Sequence, residues 1–163
     1  MTATKKNIYF IMGVSGCGKT TIGTLLSKEL NIPFYDGDDF HPEVNVKKME
    51  AGNALNDRDR HDWLVRLNEL AIEHPDGAII ACSSLKEAYR SILCNNIENR
   101  VVWIHLKGTF KEISERMSKR ENHYMPSSLL QSQFDVLEAP DNGITVDITK
   151  PPDQMIEGIL NQL

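Results

Sequence analysis

Residues 13–20 read GVSGCGKT, which matches the pattern GxxxxGK(S/T) in full. The apolar run 8–12 precedes this stretch and a segment of helical periodicity, 20–30, follows it, so the pattern stands between a predicted strand and a predicted helix. Glycines allow positive φ, so that successive backbone N–H groups and the helix N-terminus can surround an anion. The stretch therefore predicts a loop that binds the phosphates of a nucleoside triphosphate, with Lys19 at the β/γ-phosphates and the Thr20 hydroxyl on Mg²⁺.

Two other interpretations of this loop are weaker. At an ordinary glycine usage of roughly 7%, an incidental glycine-rich turn would match the pattern about once in a hundred chains of this length. The dinucleotide fingerprint GxGxxG fails, because the glycines stand at 13, 16 and 18 and the next required position holds Thr21. The pattern thus disfavours nicotinamide and flavin cofactors.

The rest of the chain alternates short apolar runs with segments of helical periodicity. Strands buried on both faces are predicted at 8–12, 33–35, 78–82, 101–106 and 144–148. Helices are predicted at 20–30, 59–73, 85–95, 110–119, 128–137 and 153–160. This alternation predicts an α/β fold with a parallel sheet flanked by helices.

Two segments, 40–56 and 121–127, do not fit the alternation. Segments inserted after the strands of an α/β sheet lie near its carboxyl edge, where ligands bind. Both are therefore predicted to face the substrate.

Composition restricts the class of protein. The 163 residues suit one domain, and 18 Lys and Arg against 23 Asp and Glu give a net charge of −5, which disfavours nucleic acid and anionic membrane as partners. No apolar stretch approaches the roughly 18 residues of a membrane helix.

The three cysteines, Cys17, Cys82 and Cys94, form no ligand pattern, and we expect reduced thiols in a cytoplasmic protein. Cys17 is either an oxidation-sensitive thiol beside Lys19 or simply a small side chain that fits the loop.

Acidic residues follow the second predicted strand. Asp36 and Asp38 would share one side of an extended chain at the edge of the sheet that holds the phosphates. One carboxylate could orient Mg²⁺ through its waters while the other accepts a proton from an acceptor hydroxyl. On spacing alone, a turn with two solvated acids is an equally good interpretation.

Further blocks of sequence resemble a known family. They are DGDDFHP at 36–42, NxxKMxxG at 45–52, LNDxDR at 55–60 with Trp63 and Leu64, CSxLK at 82–86 with Tyr89 and Arg90, LKG at 106–108, and LxSQF at 130–134 with Leu137 and Glu138. With the phosphate loop, these blocks resemble the bacterial-type gluconokinases, relatives of the shikimate and nucleoside monophosphate kinases. Only the loop is general to many nucleotide-binding proteins; the other blocks together are specific to this family.

The resemblance implies a P-loop kinase fold with a five-stranded parallel sheet, a mobile lid at 121–127, a homodimer, and transfer of the ATP γ-phosphoryl group to the 6-hydroxyl of D-gluconate. By analogy with the shikimate kinases, Asp36 would help Thr20 hold Mg²⁺ and Asp38 would lie at the acceptor hydroxyl, with Asp39 as the alternative. Arg120, beside the lid, would stabilise charge in the transition state. The residues implied in binding ATP are Gly13, Val14, Ser15, Gly16, Cys17, Gly18, Lys19, Thr20, Thr21 and Arg116, the last against the adenine.

An anionic polyol requires a cation for its carboxylate. Lys86 and Arg90 stand four residues apart at the start of the helix predicted after the third strand, so they would project from one face towards the site. Arg60 is a third candidate, ranked behind these two. For each of them the alternative is an exposed cation in a solvated ion pair. Ser91 and Cys94 depart from the commoner family form, which puts any role of the second turn of that helix in doubt.

Two rival functions have weaker support. A shikimate kinase would be expected to carry a glycine cluster after the third strand, where this chain has Cys82-Ser83-Ser84. A GTP-binding switch would carry the patterns DxxG and NKxD, and neither occurs in the sequence.

Overall fold

The computed structural model describes residues 6–119 and 127–163. Its five strands form one fully parallel sheet in the order β2-β3-β1-β4-β5. The strands are β1 (Ile8–Met12), β2 (Phe34–Asp36), β3 (Ala78–Ala81), β4 (Val101–Lys107) and β5 (Ile144–Asp147). All five lie where the apolar runs predict them, and the α/β class is confirmed.

Seven helices occur in the described residues. They are α1 (Lys19–Leu30), α2 (Glu43–Glu50), α3 (Asp57–Ile72), α4 (Glu87–Leu93), α5 (Phe110–Ser118), α6 (Ser127–Val136) and α7 (Pro152–Leu160). Two short 3₁₀ turns cover Gly37–Phe40 and Glu98–Arg100. None of these helices is long and apolar enough to cross a membrane, as far as the described ranges extend.

Side-chain caps decide where several helices begin. The Asn56 side chain accepts a hydrogen bond from the Asp59 backbone N–H at 2.8 Å, and the Asp59 carboxylate accepts one from the Asn56 backbone N–H at 3.0 Å. This capping box starts α3 at Asp57, two residues earlier than the periodicity predicts. The helix predicted at 85–95 is shorter at both ends: it begins after Lys86, which is extended with φ −109° and ψ 147°, and it ends before Cys94.

The sheet is covered on both faces. In β1, Ile8 and Phe10 pack in one cluster with Leu67 of α3, whereas Ile11 packs in another with Leu26 of α1. Neighbouring residues of a strand point to opposite faces, so a strand buried on both sides has no polar alternation. Burying one such side chain contributes about 1.5–3 kcal/mol, which is why the apolar runs predict the strands well.

The strand order brings three segments to one edge of the sheet. Asp36 is level with Ala81 of β3, and Ala81 is level with Ile11 of β1. Because all strands are parallel, the residues after β1, β2 and β3 leave the sheet on the same side. The loop at 13–20 and the acidic stretch after β2 therefore meet across the end of β3.

Segment 40–56 is more regular than the sequence predicts, because it contains α2. Lys48 Nζ of this helix lies 2.6 Å from a carboxylate oxygen of Asp59, which attaches α2 to the start of α3. The extended chain predicted for Asp36 and Asp38 is wrong, since Asp38 lies in the turn Gly37–Phe40. The Asp36 carboxylate accepts a hydrogen bond from the Asp38 backbone N–H at 3.0 Å and so caps that turn.

Candidate active site

The loop at 13–20 requires its glycines. A Cβ on Gly13, which has φ +147°, would lie 2.9 Å from the Leu106 carbonyl oxygen, and a Cβ on Gly16 would lie 2.6 Å from Met117 Cγ. Lys19 Nζ donates hydrogen bonds to the carbonyl oxygens of Gly13 at 3.0 Å and of Val14 at 3.1 Å. The lysine ammonium is thus held against the loop at the start of α1, as a phosphate-binding lysine requires.

The Cys17 side chain is fully buried inside this loop. Its Sγ lies 4.0 Å from Lys19 Nζ. Because an oxidant has to reach the sulfur, burial favours the interpretation of Cys17 as a small packing side chain.

The two residues predicted to hold Mg²⁺ are brought together. Thr20 Oγ1 donates a hydrogen bond to Asp36 Oδ2 at 3.2 Å, across the end of β3. Mg²⁺ prefers oxygen ligands and keeps several waters, so one hydroxyl and one carboxylate beside a phosphate loop suit it. The residues present therefore fit the metal.

Asp38 lies beside this pair and lines a cleft. Its side chain is 79% exposed. Partial loss of hydration beside the neighbouring residues raises the pKa of Asp38, the negative charges of Asp36 and Asp39 add to this, and Lys19 opposes it. A raised pKa suits a carboxylate that accepts a proton. Asp39, the alternative, does not line the cleft.

The cleft has a volume of about 570 Å³ and lies at the carboxyl edge of the sheet. Ser15 and Lys19 of the phosphate loop line it together with the residues that follow α2 and β3. The lining residues outside the phosphate loop and Asp38 are His41, residues 49–55, Arg60, Trp63, residues 83–85, Tyr89, Leu129, Ser132 and Gln133.

Arg60 is the predicted substrate cation that the structure places in this lining. Its Nη1 donates a hydrogen bond to the Tyr89 hydroxyl at 3.1 Å, and its guanidinium carbon lies 5.3 Å from the centre of the Tyr89 ring. The Tyr89 hydroxyl in turn donates to the Asp57 carboxylate. Tyr89 therefore holds the guanidinium at the side of the cleft.

Lys86 and Arg90, which the sequence ranks ahead of Arg60, do not line the cleft. Lys86 Nζ pairs with the Asp57 carboxylate at 3.1 Å. Arg90 is only 6% exposed, its Nη1 donates to the Ser84 carbonyl oxygen at 2.7 Å, and burial lowers its pKa. The two do not share a helix face, because Lys86 is the extended residue before α4.

Arg116 extends from α5 over the phosphate loop. Its guanidinium donates to the carbonyl oxygens of Cys17 and of Ile148, both at 3.2 Å. It thus lies between the loop and the chain that follows β5. Arg120 and residues 121–126 of the predicted lid lie outside the described residues.

Gln133 of α6 and His41 are neighbours of the site to which the sequence assigns no role. Gln133 Oε1 accepts from the Ser15 backbone N–H at 2.8 Å, and its Nε2 donates to Ser15 Oγ at 3.1 Å. The resemblance contains Gln133 in its block at 130–134, yet neither spacing nor residue type indicates a contact across 118 positions. The Trp63 side chain also stacks on His41 at the cleft.

A cleft lined by a phosphate loop, a carboxylate and a guanidinium defines a P-loop kinase of a small molecule. The family model of shikimate kinase matches residues 15–139. A probable gluconokinase of Xenopus tropicalis is 40% identical over 88% of this chain and 86% of its own length, and the gluconokinase of Gluconobacter oxydans is 38% identical over 96% and 90%.

A crystal structure of a gluconokinase from Sinorhizobium meliloti 1021 superposes with a TM-score of 0.89 at 34% identity, covering 98% of this chain and 92% of that one. The chain therefore belongs to the gluconokinase family, within the shikimate-kinase type of P-loop kinases.

Proposed function

We propose that the protein transfers the γ-phosphoryl group of ATP to the 6-hydroxyl of D-gluconate, giving 6-phospho-D-gluconate and ADP. The observation that carries this proposal is the cleft itself, which is lined by Lys19 of the phosphate loop, by the Asp38 carboxylate and by the Arg60 guanidinium. A sugar acid carries both hydroxyls and a carboxylate, so it matches a cleft that presents both a proton-accepting carboxylate and a guanidinium.

The nucleotide is held by residues 13–21 and Arg116. Backbone N–H groups of the loop and the N-terminus of α1 bind the phosphate oxygens, and the Lys19 ammonium reaches the β/γ-phosphates. Thr20 and Asp36 would hold Mg²⁺, which supplies neutralisation of charge on the phosphates. The contact of Arg116 with the loop supports its assignment to the nucleotide side, where it would lie against the adenine.

Asp38 accepts the proton of the 6-hydroxyl. As this oxygen forms a bond to the γ-phosphorus, the bond between that phosphorus and the bridging oxygen breaks, and ADP leaves. The proton of the hydroxyl passes to the Asp38 carboxylate, whose raised pKa makes it a stronger base than an ordinary carboxylate. Positioning and charge neutralisation account for the catalysis without a covalent enzyme intermediate.

Arg60 binds the gluconate carboxylate. The Tyr89 hydroxyl accepts a hydrogen bond from one N–H of Arg60, which leaves the other N–H groups of the guanidinium for a two-point contact with the substrate. A gluconate whose carboxylate is bound by Arg60 would lie in the same cleft as Asp38, which would then accept the proton of its 6-hydroxyl.

Other features of the proposal come from the resemblance alone. Arg120 would stabilise transition-state charge, and closure of 121–127 would exclude water and limit ATP hydrolysis. A homodimer in the cytoplasm completes the proposal.

Phosphorus NMR with a panel of sugar acids tests this function. With ATP and Mg²⁺, gluconate should yield one equivalent of a primary phosphate monoester per ADP, and shikimate and nucleoside monophosphates should yield none. Transfer to shikimate or a nucleoside monophosphate would replace the proposed acceptor. Nucleotide hydrolysis that no acceptor changes would instead favour a nucleotide switch.

A further inference from the structure

The imidazole of His41 lies beside Asp38 at the wall of the cleft. Only 3% of its side chain is exposed. The ring stacks on Trp63, with ring centres 4.0 Å apart and planes inclined by 17°. Trp63 is itself held, because its Nε1–H donates to the Gly37 carbonyl oxygen at 2.7 Å. The packing therefore determines where each ring nitrogen of His41 lies.

The neighbour of Nδ1 determines which nitrogen carries the proton. Asn45 Nδ2 lies 2.8 Å from the Asp59 carbonyl oxygen and 3.3 Å from His41 Nδ1. A carbonyl oxygen can only accept, so the group of Asn45 that faces it must be the NH₂. Its second N–H points to His41 Nδ1, which must then be the acceptor. The proton of the neutral ring consequently lies on Nε2.

The Nε2–H of His41 lies on the side of the ring near the Asp38 carboxylate. His41 Nε2 lies 3.9 Å from Asp38 Oδ1, longer than a hydrogen bond but within reach of a small side-chain rotation. The charged groups around the ring are Asp38 on its own turn, Arg60 on α3, and the Lys48–Asp59 pair between α2 and α3. Burial, together with the charge of Arg60, lowers the pKa of His41 to about 4, so the ring is neutral at physiological pH.

We propose that His41 is a positioning residue for Asp38: its Nε2–H, held in this tautomer by Asn45, binds Oδ1 and leaves Oδ2 for the acceptor hydroxyl. This inference rests on the role of Asp38 in the proposed function. A neutral donor orients the carboxylate without cancelling its charge, whereas an imidazolium would form an ion pair and make Asp38 a weaker base.

Nitrogen NMR of the histidine rings tests the tautomer without any substrate. In ¹⁵N-labelled protein, the signals that disappear in His41→Gln identify His41. We expect a protonated Nε2, an unprotonated Nδ1 and no ring titration between pH 8 and pH 5. A proton on Nδ1, or an imidazolium at pH 7, would overturn the inference.

Kinetics test the action through Asp38. His41→Asn shortens the side chain and removes the donor at Nε2, so kcat should fall about 10-fold or more, in line with a hydrogen bond to a charged group, while KM for ATP changes less than 2-fold. His41→Gln places an amide N–H near the former Nε2 and should restore most of the loss. Asn45→Asp should lower kcat similarly, because a carboxylate beside Nδ1 draws the proton to that nitrogen.

A double mutant separates positioning from a general structural effect. If His41 acts through Asp38, adding His41→Asn to Asp38→Asn should lower kcat no further. Exposed His61, changed to Gln, is the matched control and should leave kcat and the melting temperature unchanged. Additive losses, or equal losses in His41→Asn and His41→Gln, would assign His41 to structure alone.

The same variants distinguish this inference from the proposed function. Full activity in Asp38→Asn would remove the proposed role of Asp38. Low activity in Asp38→Asn with full activity in His41→Asn would overturn this inference alone. If the wild type phosphorylates another sugar acid, the measurements are made with that acceptor.

Discussion

The phosphate side of the cleft is one continuous stretch of backbone, whereas the acceptor side is assembled from side chains of separate segments. Residues 13–20 provide the loop largely through N–H groups and glycine conformations. The acceptor side combines Asp38 of a turn, Arg60 of α3 and Tyr89 of α4. A site made of backbone groups is determined by the local sequence. A site made of side chains also depends on which residues each side chain contacts in the folded protein.

The four variants below test this difference, and the largest effect is expected on the phosphate side. Lys19→Ala removes the ammonium that is held against the loop. It should lower kcat at least about 10³-fold, more than the loss of a single hydrogen-bond donor to the transition state usually does. A coupled assay for ADP measures this. Lys28→Ala, in the last turn of the same helix, is the control and should retain full turnover and the same melting temperature. Near-normal turnover in Lys19→Ala would exclude it from the mechanism.

Asp38→Asn probes the point at which the two sides meet. An amide cannot accept the hydroxyl proton, so kcat should fall about 10²-fold while the affinity for ATP stays within a factor of two. Steady-state kinetics with both substrates varied separate these effects. Asp39→Asn, one residue along the same turn, should retain most of the activity. If Asp39→Asn loses activity and Asp38→Asn does not, the two roles are exchanged.

Arg60→Gln tests the cation that is proposed to bind the gluconate carboxylate. Loss of a charged hydrogen bond costs about 1.5–3 kcal/mol, so KM for gluconate should rise about 10–100-fold. KM for ATP should not change. Arg58→Gln, two residues earlier and exposed, should behave as the wild type. An unchanged KM for gluconate in Arg60→Gln would place the substrate carboxylate elsewhere.

The smallest effect is expected for Lys86→Ala. Its ammonium pairs with the Asp57 carboxylate, 65% of which is exposed, and such surface pairs contribute about 0–1 kcal/mol. KM for gluconate should therefore change by less than about 3-fold. A rise as large as that in Arg60→Gln would mean that Lys86 leaves Asp57 to bind the substrate.

The sequence predicts the sheet, the phosphate loop and the Thr20–Asp36 pair well, because each depends on local pattern or on strand ends that meet at one edge. It ranks Lys86 and Arg90 ahead of Arg60, whereas Arg60 is the one of the three that lines the cleft. Arg90 is engaged by the Ser84 carbonyl and Lys86 by Asp57, and neither contact follows from spacing along a helix. The turn at Gly37–Phe40 and helix α2 are missed, since short elements leave little periodicity to detect.

The hydrogen bonds of Gln133 have a consequence for nucleotide affinity. The Ser15 backbone N–H already has the Gln133 side chain as its acceptor, so a phosphate oxygen that used this N–H would have to displace the glutamine. In that case the position of α6 and the binding of ATP would be thermodynamically linked. By reciprocity, complete detachment of α6 from Ser15 would tighten nucleotide binding by the same factor by which bound nucleotide weakens the contact of α6 with Ser15.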